Sequence, residues 1–412
     1  MKPKRIIRLH ESLPLPCCPR VWAEVSREAL AHNWQDLCAH IRRCCPRTEA
    51  MAVVKADAYG HGILPVVGTL LDVGCRMFAF ACMEEAIAAR EIIRETLPDS
   101  DCTLLVLGYT PPVDAAILAE YAITTAILSE DYAQALSDAA TRAGVTVTCH
   151  IAVDTGMNRI GIPAYDEKDA PAVAGIIRDV CNLPGLDVTG VFSHPARADE
   201  DLAAVMAEHS RTMCQYRRFR TVRKAVKSLH LHGKPLLFHL CNSAAAVRFP
   251  DAVPEGCMDA VRLGISLYGY GMDLPDGTPI SNRPVMRLMT TVVHIHTLPV
   301  GESLGYGGTY TADTPRTIAT LPVGYADGLL RALSGAYVTV HTAKGNIKAP
   351  IVGRICMDQC MIDVTDLDVR VNDRVTIFGQ TPDELLALSR QADTIPYELL
   401  CLLTARVPRI IM

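Results

Sequence analysis

Eight short runs of β-branched and apolar residues, each followed by a stretch with helical spacing, set the strongest limit on what this chain can fold into. They are Ala52–Lys55, Met77–Ala81, Thr103–Gly108, Ile123–Leu128, Thr146–Val153, Val188–Ser193, Leu236–Leu240 and Ala260–Arg262. A strand, a helix and a further strand favour parallel pairing, and eight such units are what a closed (β/α)8 barrel predicts. An open doubly wound sheet is the competing arrangement, and periodicity alone does not exclude it. No G-x-G-x-x-G string opens any of the units, which weakens a dinucleotide reading.

The texture changes near residue 270. Val285–Leu298, Thr317–Pro322, Tyr337–Thr342, Ala349–Val352, Met361–Val364 and Val375–Phe378 read as strands separated by Gly, Asp and Pro, and helical spacing returns at Asp383–Ala392. The fold class expected is therefore α/β: an N-terminal (β/α)8 TIM-like barrel followed by a mainly β C-terminal domain. The division expected is an N-terminal arm over 1–20, the barrel over 21–270 and the β domain over 271–412. Trp22–Val25 is a candidate short strand, and Ser26 a candidate N-cap for a helix over Arg27–Arg43 with Leu30, Trp34, Leu37 and Ile41 on one face.

Composition narrows the function classes. The net charge of −5 gives no reason to expect nucleic acid or an anionic membrane as partner. No apolar run reaches the ~18 residues that would cross a bilayer. The basic start, Met1 to Arg8, is not followed by an apolar signal core, so a cytoplasmic protein is expected. The sixteen cysteines then read as reduced thiols rather than a disulfide framework. The two Cys-Cys-Pro-Arg strings, at Cys17 and Cys44, lack the paired spacing of a zinc site, and no metal is expected. The basic stretch Arg211–Lys227 reads as the solvated face of an outer helix rather than a polyanion patch.

A barrel places its chemistry at the C-terminal ends of its strands. The polar residues closing the eight runs are Lys55, Asp154 followed by Arg159, His194, Asn242-Ser243 and Arg262. Each has a structural reading by itself: a snorkelling lysine, a core histidine, an arginine in an ion pair. Together on one rim they make a site for an anionic cofactor. Lys55 stands at the head of the constellation. Met51–Val54 is a buried strand, and a lysine behind it is pushed toward the neutral, nucleophilic amine that Schiff-base chemistry needs. Two glycines, Gly60 and Gly62, follow and would let the backbone turn sharply.

The strings around these residues resemble the alanine racemase family. They are Trp22-Ala-Glu, Lys55-Ala-Asp-Ala-Tyr59-Gly-His-Gly62, Asp154-Thr-Gly-Met-Asn-Arg159-Ile-Gly161, Ser193-His194, Asn242-Ser-Ala-Ala245, Arg262-Leu-Gly-Ile265 and Leu267-Tyr268-Gly269. Gly305-Tyr306-Gly-Gly-Thr-Tyr310, Gly324-Tyr325-Ala-Asp-Gly328, Gly353-Arg-Ile-Cys-Met357-Asp358-Gln359, Tyr397-Glu398 and Arg406-Val-Pro-Arg409 continue the series in one order to the chain's last residues.

The resemblance implies a homodimer with head-to-tail subunits and shared active sites, converting L-alanine to D-alanine for cell-wall precursors. It implies that Lys55 holds pyridoxal 5'-phosphate (PLP) as a Schiff base and acts as one acid/base, with Tyr306 of the second subunit as the other. Racemisation takes a proton from one face and returns it to the opposite face, so two groups must flank the carbon. A phenol with an ordinary pKa near 10 needs tuning for that work, for instance by a nearby cation. Arg262 would face the cofactor's ring nitrogen and, by keeping its proton, leave the ring a weaker electron sink. His194 would support Arg262. Tyr59, Asn242, Ser243, the N–H groups of Gly264 and Ile265, and Tyr397 would hold the cofactor, mostly at its phosphate. Arg159 and the Met357 N–H would bind the substrate carboxylate. Asp358 would orient its neighbours and Tyr325 would line the entrance.

Two departures are visible. Many relatives carry a carbamylated lysine two residues before the aspartate of the Asp-Thr-Gly-Met string, where this chain has Ala152. No carbamate is expected, and Arg159 must be oriented otherwise, by an anion, water or Asn158. Gly305 stands where relatives often have serine, which is expected to loosen the loop. Serine or a broader set of small amino acids is the alternative substrate, against which Tyr397 argues mildly. A non-catalytic PLP-binding protein of single-barrel type and a basic-amino-acid decarboxylase are the alternatives of other kinds. Tyr306 and Met357 in the second domain discriminate against both.

Overall fold

The computed structural model describes residues 19–98, 100–229, 231, 235–252, 258–271 and 282–412. Cys17 and all but the last two residues of the expected arm lie outside them. The described chain forms two compact units. One comprises residues 30–58 and 63–282, the other residues up to 29, 59–62 and 283–412.

The first unit is a closed barrel of eight parallel strands. Around the ring, Thr103–Val106 pairs with Met77–Phe80, then follow Glu49–Val53, Ala260–Leu263, Leu237–His239, Leu186–Phe192, Val147–Asp154 and Ile123–Ile127. Pairing of Ile123–Ile127 with both Thr103–Val106 and Val147–Asp154 closes the ring and excludes the open sheet. Strands such as Met77–Phe80, Ile123–Ile127 and Ala260–Leu263 are buried at every residue. That is why they read as unbroken apolar runs rather than alternating ones. Helices return the chain between strands. Glu130–Ala143 is typical: Ser129 caps it by accepting from the Tyr132 N–H, and Gly144 ends it in the left-handed region at φ 68°.

The expected strand limits hold to within a few residues, with one shift that matters. The strand Glu49–Val53, second in the chain after Val21–Val25, ends at Val53, so Lys55 lies two residues beyond it rather than on it. The helix Arg211–Ser228 is the outer helix expected, with its basic residues off the buried side. Thr212, Gln215, Tyr216, Phe219, Val222 and Val226 bury one side, and its polar residues reach the barrel rim.

The second unit is built on a nine-stranded sheet, in the order 294–298, 316–321, 360–363, 345–352, 337–342, 374–378, 286–291, 21–25, 409–411. The expected strand at residues 22–25 exists as Val21–Val25. It lies between Met286–Thr291, antiparallel, and Arg409–Ile411, parallel. Val285–Leu298, read as one strand, is two, Met286–Thr291 and His294–Leu298. A short helix, Pro396–Cys401, follows the expected one at Pro382–Gln391. Leu298, Leu304, Ala312, Ile318, Val352 and Met361 form a core cluster of this unit. Among the described residues no helix is long and apolar enough to cross a membrane, and the thirteen cysteines among them form no disulfide with one another.

Candidate active site

Just past the second strand, the Val54 N–H donates to Ala79 O at 2.9 Å and seats Lys55, half-buried, at the rim. Ala56, Asp57, Ala58 and Tyr59 then all take φ of 53–54°. The expected sharp turn is present, but non-glycine residues carry most of it, ahead of Gly60 and Gly62. Four such residues in the left-handed region cost roughly 1–2 kcal/mol each. Local bonds hold the turn against that cost. Asp57 Oδ1 accepts from the Ile63 N–H at 2.8 Å, and Glu85 Oε1 accepts from the Asp57 N–H at 3.2 Å.

Arg262 is 3% exposed. One nitrogen, Nη1, donates to His239 Nδ1 at 2.5 Å and His239 O at 3.2 Å. Nη2 donates to Ser193 O at 2.7 Å, Leu240 O at 2.9 Å and His194 Nδ1 at 3.2 Å. Among the described residues no carboxylate pairs with it. Burial brings its pKa down to about 10, so it stays a cation at neutral pH. Phe192 stacks on His239 with ring centres 5.3 Å apart and receives the Arg262 guanidinium 5.7 Å from its centre. His194 is pushed down to about 3, first by burial and then by the charges of Arg262, Arg159 and Lys55. Three cations thus converge on one neutral imidazole, which is the electrostatics of an anion site.

Asn242 and Ser243 open the helix Ser243–Ala252. Asn242 Oδ1 accepts from the Ala245 N–H at 3.1 Å, so its carbonyl end caps the helix. Ser243 Oγ accepts from the Gly264 N–H at 2.7 Å. Ile265 starts the turn Ile265–Tyr268 beside it.

Asp154 ends its strand and gathers the next loop. Its Oδ1 accepts from the N–H groups of Gly156, Met157 and Asn158 at 2.9–3.0 Å, and its Oδ2 from the Tyr165 hydroxyl at 3.2 Å. Asn158 sits at φ 58°, and Arg159 follows, exposed, with no hydrogen bond or ion pair among the described residues. Ala152 is 2% exposed among Ala126, Phe192, Leu107, Leu128 and Ile160, an apolar setting with no place for a charged carbamate. Gln215 and Arg218 tie the rim loops together. Gln215 donates to His194 O at 2.9 Å and accepts from the Ala196 N–H at 2.9 Å, while Arg218 donates to Thr155 O at 2.8 Å. Gln215, Arg218, His239 and His150 also gather at this rim and were not singled out from the sequence, where Ser193 entered only through its string with His194. The histidines carry a signal that could have found them, a titratable residue inside an apolar strand.

The other candidates lie in the second unit. Tyr306 is 71% exposed on a loop whose Gly305, Gly307 and Gly308 all have positive φ. Tyr325 begins a turn laid against Cys356-Met357: its N–H donates to Cys356 O at 3.1 Å, and the Ala326 N–H to Met357 O at 2.9 Å. Asp358 accepts from Arg406 at 2.8 Å. Tyr59 is 6% exposed, with its ring centre 5.9 Å from that of Tyr397. Burial, then Tyr397 and Cys401, push its pKa up, so the phenol keeps its proton and can donate.

Comparison with known proteins gives the family. A model described as the alanine racemase N-terminal domain matches residues 25–271, and one described as the C-terminal domain matches residues 285–411. Alanine racemase 1 of Clostridium acetobutylicum is 38% identical over 396 residues, 95% of each chain. The alanine racemase of Geobacillus kaustophilus is 37% identical, covering 94% of each. Among solved structures, alanine racemase of Clostridium difficile 630 superposes with a TM-score of 0.82 at 30% identity, over 96% of this chain and 97% of that one. That of Bacillus anthracis with bound L-Ala-P superposes with a TM-score of 0.80 at 32% identity, over 97% and 96%. With both domain models matched in order and full-length relatives above 30% identity, this chain belongs to the alanine racemase family.

Proposed function

We propose that the protein interconverts L- and D-alanine, with PLP held at the barrel rim and the α-proton exchanged by two side chains on opposite faces. The observation that carries this reading is the setting of Arg262: a buried cation that, among the described residues, bonds to carbonyls and neutral imidazole nitrogens and to no carboxylate. A cation so held can donate to a ring nitrogen without surrendering its own proton. Two sets of donors support the rest of this reading, each suited by itself to a phosphate: Ser243 beside Gly264 and Ile265 in the barrel unit, and Tyr59 paired with Tyr397 in the second unit. When bound, PLP supplies an aldehyde with which a primary amine condenses and a conjugated ring that draws electron density from the adjoining carbon.

Lys55 would hold the cofactor through its amine and would take or return the proton on one face. Tyr306 serves the other face through its phenol oxygen. Tyr306 is exposed in its own chain, and we assign its target to the site of a second copy in a homodimer. Arg159 binds the substrate carboxylate with the Met357 N–H as second donor. Tyr325 narrows the entrance, and Asp358 fixes its neighbours.

The test is racemisation in D2O from either enantiomer. Wild type should place solvent deuterium at the α-carbon of the product. Lys55→Ala should stop both directions, and Tyr306→Phe should most impair abstraction from L-alanine. Undiminished turnover in Tyr306→Phe sinks the two-base reading. Faster formation of D-serine than of D-alanine at equal substrate sinks the alanine assignment.

A further inference from the structure

Asp327 is a carboxylate 1% exposed and not among the residues assigned above. Its Oδ2 accepts from its own turn, the Gly324 N–H at 3.0 Å, and from Arg20 Nη1 at 2.9 Å. Its Oδ1 accepts from Arg20 Nη2 at 2.5 Å and lies 3.5 Å from Arg406 Nε. Arg20 also donates to Pro322 O at 2.6 Å, and Arg406 reaches on to Asp358 Oδ1 at 2.8 Å. Two guanidiniums and two carboxylates make a neutral cluster around two turns, Gly324–Gly328 and Arg354–Gln359.

The turns are stitched through backbone. Tyr325 and Ala326 donate to the carbonyls of Cys356 and Met357. Gly324 is where they touch: a Cβ there would stand 2.3 Å from Cys356 O and 2.4 Å from Met357 O. The Cys356 N–H bonds Gln359 O at 2.8 Å, whereas the Met357 N–H has no partner among the described residues. That donor is fixed in space yet left open, on a residue 53% exposed.

We propose that Asp327 is a positioning residue for the Met357 N–H, and that Arg20, at the leading end of the first strand, is the clamp that holds it. The inference rests on the reading that this N–H receives the substrate carboxylate. Arg20 grips Asp327 in a two-pronged fork, the geometry that fixes orientation as well as position. Asp327 thereby holds the Gly324–Gly328 turn, the Tyr325 N–H of that turn fixes the Cys356 carbonyl, and that carbonyl lies in the same peptide plane as the Met357 N–H. Arg406, bonded to both Asp327 and Asp358, restrains the residue that follows. The clamp acts on binding of the carboxylate and touches no reacting atom.

The experiment compares wild type, Arg20→Ala, Arg20→Lys and Asp327→Asn as PLP-loaded proteins. Two ligands are titrated by calorimetry: propionate, a carboxylate without an amine, and ethylamine, an amine without a carboxylate. Arg20→Ala should weaken propionate about tenfold, equivalent to about 1.4 kcal/mol, and leave ethylamine unchanged. KM for both alanine enantiomers should rise by a similar factor while kcat stays within about threefold, the signature of lost uniform binding. Arg20→Lys keeps the charge without the fork and should recover only part of the loss. Asp327→Asn should show the same discrimination. Should it fail to fold, Arg20→Ala decides, because Asp327 there keeps Arg406 and the Gly324 N–H. Equal weakening of both ligands, or of neither, in Arg20→Ala overturns the proposal. The propionate-to-ethylamine ratio needs no turnover. Failure of wild type to racemise with the ratio shifted as described would sink the preceding reading and leave the clamp standing.

Discussion

Arg262 and His239 meet nitrogen to nitrogen, Nη1 against Nδ1, at 2.5 Å. A guanidinium has donors only, so His239 Nδ1 accepts and its ring proton sits on Nε2. His239 Nε2 faces His150 Nδ1 at 3.0 Å, so the second ring accepts there in turn. The relay runs inward from the cation and fixes both tautomers. It also forbids a second proton on either facing nitrogen. Burial and then the Arg262 charge accordingly push His150 down to about 3, and the same causes with His150 carry His239 well below its ordinary value. Gly190 makes the slot, since a Cβ there would stand 2.7 Å from the His150 ring.

This relay makes stability depend on pH in a definite direction. His150 is neutral when folded down to about 3, whereas an unfolded histidine gains a proton near 6.5. Between those values the unfolded chain binds more protons, so its contribution to stability is fully present above 6.5 and is lost as pH falls toward 3. Each such histidine tilts the curve by at most about 1.4 kcal/mol per pH unit. Denaturant unfolding between pH 7 and 4.5 should show this slope, and His150→Gln should flatten it by about one histidine's share. An unchanged slope in that variant would place the proton uptake elsewhere.

Gly305 takes φ 69° and ψ −167°, a region open essentially to glycine alone. The expectation from sequence was a loosened loop. The structure adds that the loop's path is one a serine follows only with strain. Gly305→Ser should move Tyr306 at a cost of about 1–3 kcal/mol in that loop. Because Tyr306 is exposed, global melting should shift little while racemisation falls at least tenfold. Wild-type turnover in Gly305→Ser would show that Tyr306 tolerates a different backbone.

The barrel was legible because its strands are buried on both faces and leave long apolar runs between helical stretches. The rim residues were legible because strand ends are where polarity interrupts such runs. Other features depend on partners that local sequence does not name. Val21–Val25 pairs with strands at 286–291 and 409–411, and nothing in Val-Trp-Ala-Glu-Val points there. Ala-Asp-Ala-Tyr has no local preference for the left-handed region. Asp57 and Glu85 impose it through bonds to backbone N–H groups. His150 sits inside the strand Val147–Asp154, where a search of strand ends does not look; His239 ends the strand Leu237–His239, but lies one residue inside the run Leu236–Leu240 read from the sequence. Pro396–Cys401, a single short turn of helix, is too brief for periodicity to register.

Asp154 answers what orients the Arg159 loop where Ala152 replaces a lysine. Three N–H groups on one carboxylate oxygen hold residues 156–158 in a tight nest, and Arg159 leaves it in a set direction. Asp154→Ala strands those donors, at about 1–3 kcal/mol if they stay dry. KM for alanine should rise at least fivefold with a smaller change in kcat, and Tyr165→Phe, which removes one bond to Oδ2, should do less. Wild-type activity should be indifferent to removal of dissolved carbon dioxide, since Ala152 sits in an apolar cluster. Activation by bicarbonate would contradict this.

Tyr59 leaves the left-handed turn with its ring buried and near Tyr397. Burial first, and then Tyr397 and Cys401, hold its pKa above the ordinary phenol value. The hydroxyl therefore keeps its proton at neutral and mildly alkaline pH, where a phosphate is doubly charged, and can donate to it as a neutral group. Such a bond to a charged acceptor contributes about 1.5–3 kcal/mol. Tyr59→Phe should thus raise the dissociation constant of PLP roughly tenfold or more, read by titrating the cofactor-free protein. KM for alanine should stay near wild type once PLP is saturating, because the proposed place of the substrate carboxylate is with Arg159 and Met357. Tyr397, more exposed than Tyr59, should have a smaller effect when changed to Phe, since water can replace its hydroxyl. If Tyr59→Phe retained PLP as firmly as wild type through dialysis, the phosphate would have to be held without this phenol.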